Sequence, residues 1–112
     1  MIKEWLQEFR ENWKNQEVEE VLELFTDDVT YYETPTEKLS PEELEQEWKE
    51  VKQQEDIQLE LDLFSSDGNK HTVQWELSYR SKGEKNHLKG IYLIKLNENG
   101  KCKEFWQYIQ QE

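Results

Sequence analysis

Ile57-Gln58-Leu59-Glu60-Leu61-Asp62-Leu63 alternates apolar and polar side chains at every step, and Val73-Gln74-Trp75-Glu76-Leu77-Ser78-Tyr79 repeats the alternation later in the chain. A period of two sends successive side chains to opposite faces of a strand, so each stretch offers one face to a core. The connectors Ser65-Ser66-Asp67-Gly68-Asn69, Lys82-Gly83-Glu84 and Asn97-Glu98-Asn99-Gly100 each contain Gly, joined in the first and third by Asn, Asp or Ser, the chemistry of hairpin turns. From Ile57 onward the chain therefore reads as four long, neighbouring antiparallel strands. Strands of roughly ten residues exceed the usual five or six. A sheet of such strands twists and coils, and one that curls around helices leaves a cone-shaped cavity.

N-terminal to this meander the period is helical. Ile2, Trp5, Leu6, Phe9 and Trp13 recur at three- and four-residue intervals and predict a helix over 2–14 with one apolar stripe. Val18, Val21, Leu22 and Phe25 continue the pattern after Asn15-Gln16, which predicts a second short helix ending before Thr26-Asp27-Asp28. Val29 to Glu33 is rich in β-formers and runs into Thr34-Pro35, so it reads as a short strand followed by a loop. Ser40-Pro41-Glu42-Glu43 then opens a third helix, with Ser40 as N-cap, Pro41 in the first turn and Glu43 closing a capping box. Its apolar face carries Leu44, Trp48 and Val51. There is no internal repeat, no low-complexity linker and no break in composition, so residues 1–112 are expected to form one α+β domain.

A single domain of 112 residues buries roughly two-thirds of the surface its unfolded chain would expose. Only 34% of the residues are apolar but 12% are aromatic, five of them Trp, so the core must be built from a few large rings. Acidic residues outnumber basic ones by 26 to 14, and a net charge of -12 opposes the phosphate contacts of nucleic acids and of anionic membranes. The longest apolar stretch, Gly90-Ile91-Tyr92-Leu93-Ile94, is far too short to span a bilayer. The first residues lack the basic and apolar regions of a signal peptide, which leads to the expectation of a cytoplasmic protein. Cys102 is the only cysteine, expected as a packed strand thiol, and it offers neither an internal disulfide nor metal-ligand spacing.

Leu24-Phe25-Thr26-Asp27-Asp28-Val29, Trp48, and the run from Gly90 to Leu96 through Asn99-Gly100-Lys101-Cys102 into Glu104-Phe105-Trp106 carry a family resemblance. Over nearly its full length the chain resembles the nuclear-transport-factor-2-like superfamily, the cystatin-like cone fold that includes SnoaL-like polyketide cyclases and ketosteroid isomerase. It is most similar to bacterial SnoaL-like proteins with a Tyr-rich first strand, a following Pro, and a Gly-Lys/Arg-Cys hairpin leading to a Trp. The resemblance implies three helices toward the N-terminus, packed on a strongly curved, mainly antiparallel sheet, and a small-molecule pocket with no cofactor.

Aligned with the isomerase, Glu33 falls at the general-base carboxylate, and Tyr92 at a protonated aspartic acid whose hydrogen bond a phenol can donate. Phe9 falls at the oxyanion-hole tyrosine and cannot donate, so the complete isomerase site is absent. The Asp-Arg-Asp arrangement of the epoxide hydrolases is not matched either, since Arg80 shares the outward parity of Glu76 and Ser78. His87 is out of step with the inward series Leu88, Gly90, Tyr92 and Ile94, and His71 has core parity but lies near a hairpin end.

Parity predicts a pocket walled by Phe9, Trp13, Tyr31, Trp48, Trp75 and Phe105, with Glu33 and Tyr92 as its candidate catalytic groups. Aromatic walls around one carboxylate suit a small, largely apolar organic molecule with one polar handle. On the opposite sheet face Ile91 and Leu93 lie beside Trp106 and Tyr108, with Cys102 and Phe64 nearby, an apolar patch that predicts a homodimer. Two functions fit these features: acid/base chemistry on a bound ligand, or a non-catalytic interaction module whose rings fill the cone.

Overall fold

A computed structural model describes residues 1–111 of the chain. Its elements are α1 (Ile2–Lys14), α2 (Val18–Leu22), β1 (Phe25–Thr34), β2 (Glu37–Leu39), α3 (Pro41–Lys49), a 3-10 turn (Glu50–Gln53), β3 (Glu55–Asp67), β4 (Lys70–Ser81), β5 (Glu84–Leu96) and β6 (Cys102–Gln111). The strands form one curved sheet in the order β2-β1-β6-β5-β4-β3. Only β1 and β6 run parallel. The meander is thus present as expected, and the α+β cone is the observed fold.

Local chemistry accounts for most of these elements. In α3 the Ser40 hydroxyl accepts from the Glu43 N–H at 3.2 Å and the Glu43 carboxylate accepts from the Ser40 N–H at 3.0 Å, a complete capping box. Along α1 the apolar stripe Trp5, Leu6, Phe9 and Trp13 is buried. The helix is docked by the Trp5 indole N–H donating to the Leu24 carbonyl at 3.0 Å and by Arg10 Nε donating to the Leu59 carbonyl at 2.8 Å.

The structure corrects the sequence reading in three places, each through strand pairing. The second helix stops at Leu22, and Phe25 opens β1, because Phe25 pairs with Cys102 and the Cys102 N–H donates to the Leu24 carbonyl at 2.8 Å. The loop after Pro35 contains β2, held by the pairings Tyr31 with Leu39 and Tyr32 with Lys38. Cys102 does not belong to the outer sheet face but is fully buried in the core. Leu96 pairs with Cys102 and Lys95 with Glu104, so Lys103 is an extra residue, a bulge that turns both Cys102 and Phe105 inward.

The core is a cluster of rings between α1 and the sheet. Phe9, with no exposed surface, meets Trp5, Trp13, Phe25, Trp48, Tyr92 and Phe105 at centroid distances of 4.9 to 6.4 Å. Most of these contacts are edge-to-face, the arrangement that suits the ring quadrupole. Among the described residues no helix is long and apolar enough to cross a membrane.

Candidate functional site

The cone is filled at its base and open at its mouth. Phe9, Tyr92 and Phe105, expected as pocket walls or site groups, lie in the packed floor at 0, 1 and 0% exposure. Above them is a cavity of about 200 Å³ walled by Trp13, Tyr31, Trp48 and Trp75, the other four rings or ring pairs of the expected pocket, together with Tyr79 and Leu77. Glu33 lines it too, at the end of β1 where the strand leaves the core.

Each wall is anchored. The Trp13 and Trp48 rings meet edge-to-face at 4.8 Å, and the Trp13 indole N–H donates to Gln54 Oε1 at 3.0 Å. Gln16, in the left-handed conformation between α1 and α2, donates its amide to the Val51 and Gln54 carbonyls at 2.9 and 2.7 Å, which ties the 3-10 turn to α1. Tyr31 stacks on Phe105 at 4.8 Å, and Trp75 stacks on Tyr92 at 5.1 Å with the planes 14° apart. The floor thus holds two of the walls upright.

The polar side of the mouth comes from Glu33, Glu47, Glu50, Gln54 and Gln107. Gln107 donates its amide to the Glu33 main-chain carbonyl at 3.4 Å. Burial holds the Glu33 carboxyl above its ordinary value, and the charges of Glu47 and Glu37 push it further the same way. Glu47 is raised as well, by desolvation and then by Glu50, Glu37 and Glu43. Burial raises both phenols beneath the mouth, Tyr31 and Tyr92, and the Glu33 charge adds to each. Both therefore keep their protons, and Glu33 and Glu47 are the carboxyls of the cavity whose proton affinity burial raises above that of a solvated carboxylate.

Parity along β6 could have identified Gln107, which alternates inward with Phe105, but nothing in the local pattern singled out Glu47 and Glu50 from the other acids of α3 and its turn. The two histidines lie elsewhere. His71 is buried at the β3–β4 hairpin with Nδ1 2.7 Å from the Ser66 hydroxyl, and His87 is exposed and pairs with Glu76. Arg80 is exposed, 3.3 Å from Asp56. Among the described residues no three His, Cys, Asp or Glu side chains converge on a metal-sized site.

On the outer sheet face Leu93 pairs with Trp106 and Ile91 with Tyr108 across β5 and β6, and Trp106 stacks on Tyr32 at 3.9 Å with the planes 5° apart. Ile91, Leu93 and Tyr108 are each 38–39% exposed, and Phe64 on β3 is 68% exposed.

Residues 6–105 match the model of the SnoaL-like domain. The sequence has no significant match among curated proteins. Among solved structures the chain is similar to an NTF2-like protein from Exiguobacterium sp. 255-15, at 15% identity and a TM-score of 0.78, covering 96% of this chain and 99% of that one. It is also similar to an epoxide hydrolase from M. tuberculosis, at 9% identity and a TM-score of 0.78, covering 96% and 80% of the two chains. A third is a protein with a ketosteroid isomerase-like fold from Catenulispora acidiphila, solved in complex with trimethylamine. It shares 14% identity and a TM-score of 0.77, covering 94% of this chain and 84% of that one. At these identities the likeness is one of fold.

Proposed function

The chain belongs to the SnoaL-like domain family, and from that premise we propose that it binds a small, largely apolar organic molecule at the mouth of its cone and acts on it by cofactor-free acid/base chemistry through Glu33. The observation that carries this reading is a half-buried carboxyl, held above its ordinary value, in a cavity walled by Trp13, Tyr31, Trp48 and Trp75. A general base works best when its proton affinity lies near the working pH, and desolvation moves Glu33 in that direction. In this reading Glu33 takes a proton from an atom of the ligand, or from a water that attacks it, and returns it to another atom of the ligand, so the reaction is an isomerisation, cyclisation or addition of water and needs no oxidant. Tyr92 supports it from the floor, as a protonated phenol that holds Trp75 in place.

Size narrows the ligand. A cavity of about 200 Å³ is smaller than the roughly 300–1,000 Å³ of sites for drug-sized molecules. A steroid is too large for it, and a ligand of trimethylamine's size, as in the Catenulispora protein, fits.

Turnover of a ligand found by co-purification or fragment screening tests the reading. Glu33→Gln is expected to lower it by about 10²–10⁴-fold without loss of fold. A folded variant that keeps full turnover removes Glu33 as the base.

The outer sheet face favours a second element of function. Ile91, Leu93, Trp106 and Tyr108 form a contiguous apolar patch on an otherwise charged molecule, and we assign it to a homodimer in the cytoplasm, where a lone thiol stays reduced. The filled base of the cone leaves room for a non-catalytic version of this assembly, in which the mouth binds without turnover.

A further inference from the structure

We infer that the ligand of the mouth cavity is a small organic cation, an alkylated ammonium group seated against the indole walls and neutralised by Glu33. The inference rests on reading that cavity as a ligand site and adds the sign of the ligand's charge. Three observations lead to it.

The first is the composition of the lining. Glu33, Glu47 and Glu50 bring three carboxylates to the cavity, and none of the residues that line it is Lys, Arg or His. The charged groups acting on Glu33 are all further carboxylates, Glu47, Glu37 and Glu50. Three cations of the neighbouring elements are engaged elsewhere: Lys49 lies 3.3 Å from Glu45, Arg10 bonds the Leu59 carbonyl, and Arg80 lies 3.3 Å from Asp56, while Lys14, Lys38 and Lys52 do not line the cavity. A half-buried carboxylate is normally paired, because desolvation of an isolated charge is costly. Within the chain Glu33 has only the neutral amide of Gln107 as a hydrogen-bond partner, so a compensating charge has to come from outside the chain.

The second is the nature of the walls. Trp13, Trp48 and Trp75 line the cavity with indole rings, and the negative π-face of an indole attracts an ammonium group, most strongly when it is desolvated. A neutral ligand of the same shape gains the contact area but leaves the carboxylates uncompensated, and an anion meets their repulsion. A hard metal ion is a poor alternative, since it takes several oxygen ligands at short range and indole rings supply none.

The third is shape. The cavity is closed below by Phe9, Tyr92 and Phe105 and has its carboxylates at the polar side of the mouth. Small volume and fixed rings suit a compact, methylated head rather than a long chain.

The test compares three isosteres on the full chain by calorimetry, with the indole N–H signals of Trp13 and Trp48 followed by NMR. Choline is the cation, 3,3-dimethylbutan-1-ol its neutral counterpart and pivalate an anion of similar bulk. Choline is expected to bind saturably at least about tenfold tighter than the neutral alcohol, with no binding of pivalate. Glu33→Gln is expected to abolish the preference for choline while leaving the alcohol's binding in place, and Glu47→Gln, at the exposed rim, to weaken choline about two- to threefold. Equal or tighter binding of the alcohol to the wild-type protein overturns the cation and leaves the ligand site standing. Unshifted indole signals with all three compounds overturn both. Should Glu33→Gln fail to fold, the wild-type comparison and Glu47→Gln decide the matter.

Discussion

A β-carbon on Gly90 would lie 1.8 Å from the backbone carbonyl oxygen of Tyr108. Trp75 closes the same space from the other side, with Cζ2 3.0 Å from that position. β5 and β6 therefore approach at Gly90 in a way that only the absence of a side chain permits, and the Trp75 ring that walls the mouth lies over the gap. Gly90→Ala should force the two strands apart and displace Trp75, because the obstructing atom is backbone and cannot rotate away. The expected cost is about 3 kcal/mol, read as a lower midpoint in urea denaturation with little change in slope. A midpoint equal to wild type would mean that β5 and β6 do not approach this closely at Gly90.

Glu33 stabilises the fold in the direction opposite to most carboxylates. Its pKa in the folded chain is raised above the ordinary 4.5, so the folded state holds the proton more tightly than the unfolded one. Its stabilising contribution is full below the ordinary value and is lost as pH rises through the raised one. Glu33→Gln, neutral throughout, is expected to melt at a higher temperature than wild type near pH 7, with the difference closing below about pH 4. Melting curves across that range check it, and a variant that is less stable at neutral pH contradicts the assignment of Glu33 to an unneutralised site. Glu47 is shifted the same way and should behave similarly, with a smaller amplitude because it is exposed.

Leu93 faces Trp106 across the outer surface of the sheet. If this patch joins two copies, an acid at its centre buries a charge without a partner. Leu93→Asp should weaken association by about 2 kcal/mol or more, some thirtyfold, while leaving the monomer folded because the native side chain is only partly buried. Light scattering after size-exclusion chromatography, run across a concentration series, reads the change. A wild-type protein that is monomeric at the highest concentration removes the dimer altogether.

Cys102 has no exposed surface, and its thiol donates to the Glu104 carbonyl at 3.0 Å. Burial pushes its pKa from the usual 9.0 up to about 12, which makes the reactive thiolate about a thousandfold scarcer at a given pH. Labelling by a thiol-specific disulfide reagent should therefore require unfolding, and its rate should rise with urea in step with the fluorescence change of the tryptophans. Rapid labelling of the native protein would place the thiol on the surface.

The alternation from Ile57, the capping box at Ser40 and Glu43 and the apolar stripe of α1 are all local patterns, and each appears in the fold where its spacing puts it. β2 was not legible because Glu37–Leu39 is too short to show a period and exists only through its pairing with β1. The helical spacing of Phe25 with Val21 and Val18 was overridden by its parallel pairing with Cys102, whose partner strand lies at the far end of the chain.

The candidate site divides along the same line. Local spacing and parity determined the fold class and directed the aromatic residues and Glu33 toward one interior, since the side-chain direction within a strand or helix depends only on neighbouring residues. Which rings became floor and which became wall was decided by tertiary structure. The close approach at Gly90, the bulge at Lys103 and the docking of α1 fix how deep each ring sits, and all three depend on pairing or packing between elements. They enclosed Phe9, Tyr92 and Phe105, left Trp13, Trp48 and Trp75 around an open mouth, and brought Glu47 and Glu50 beside Glu33 from another element, so that the charge of the site arises from residues no local pattern connects.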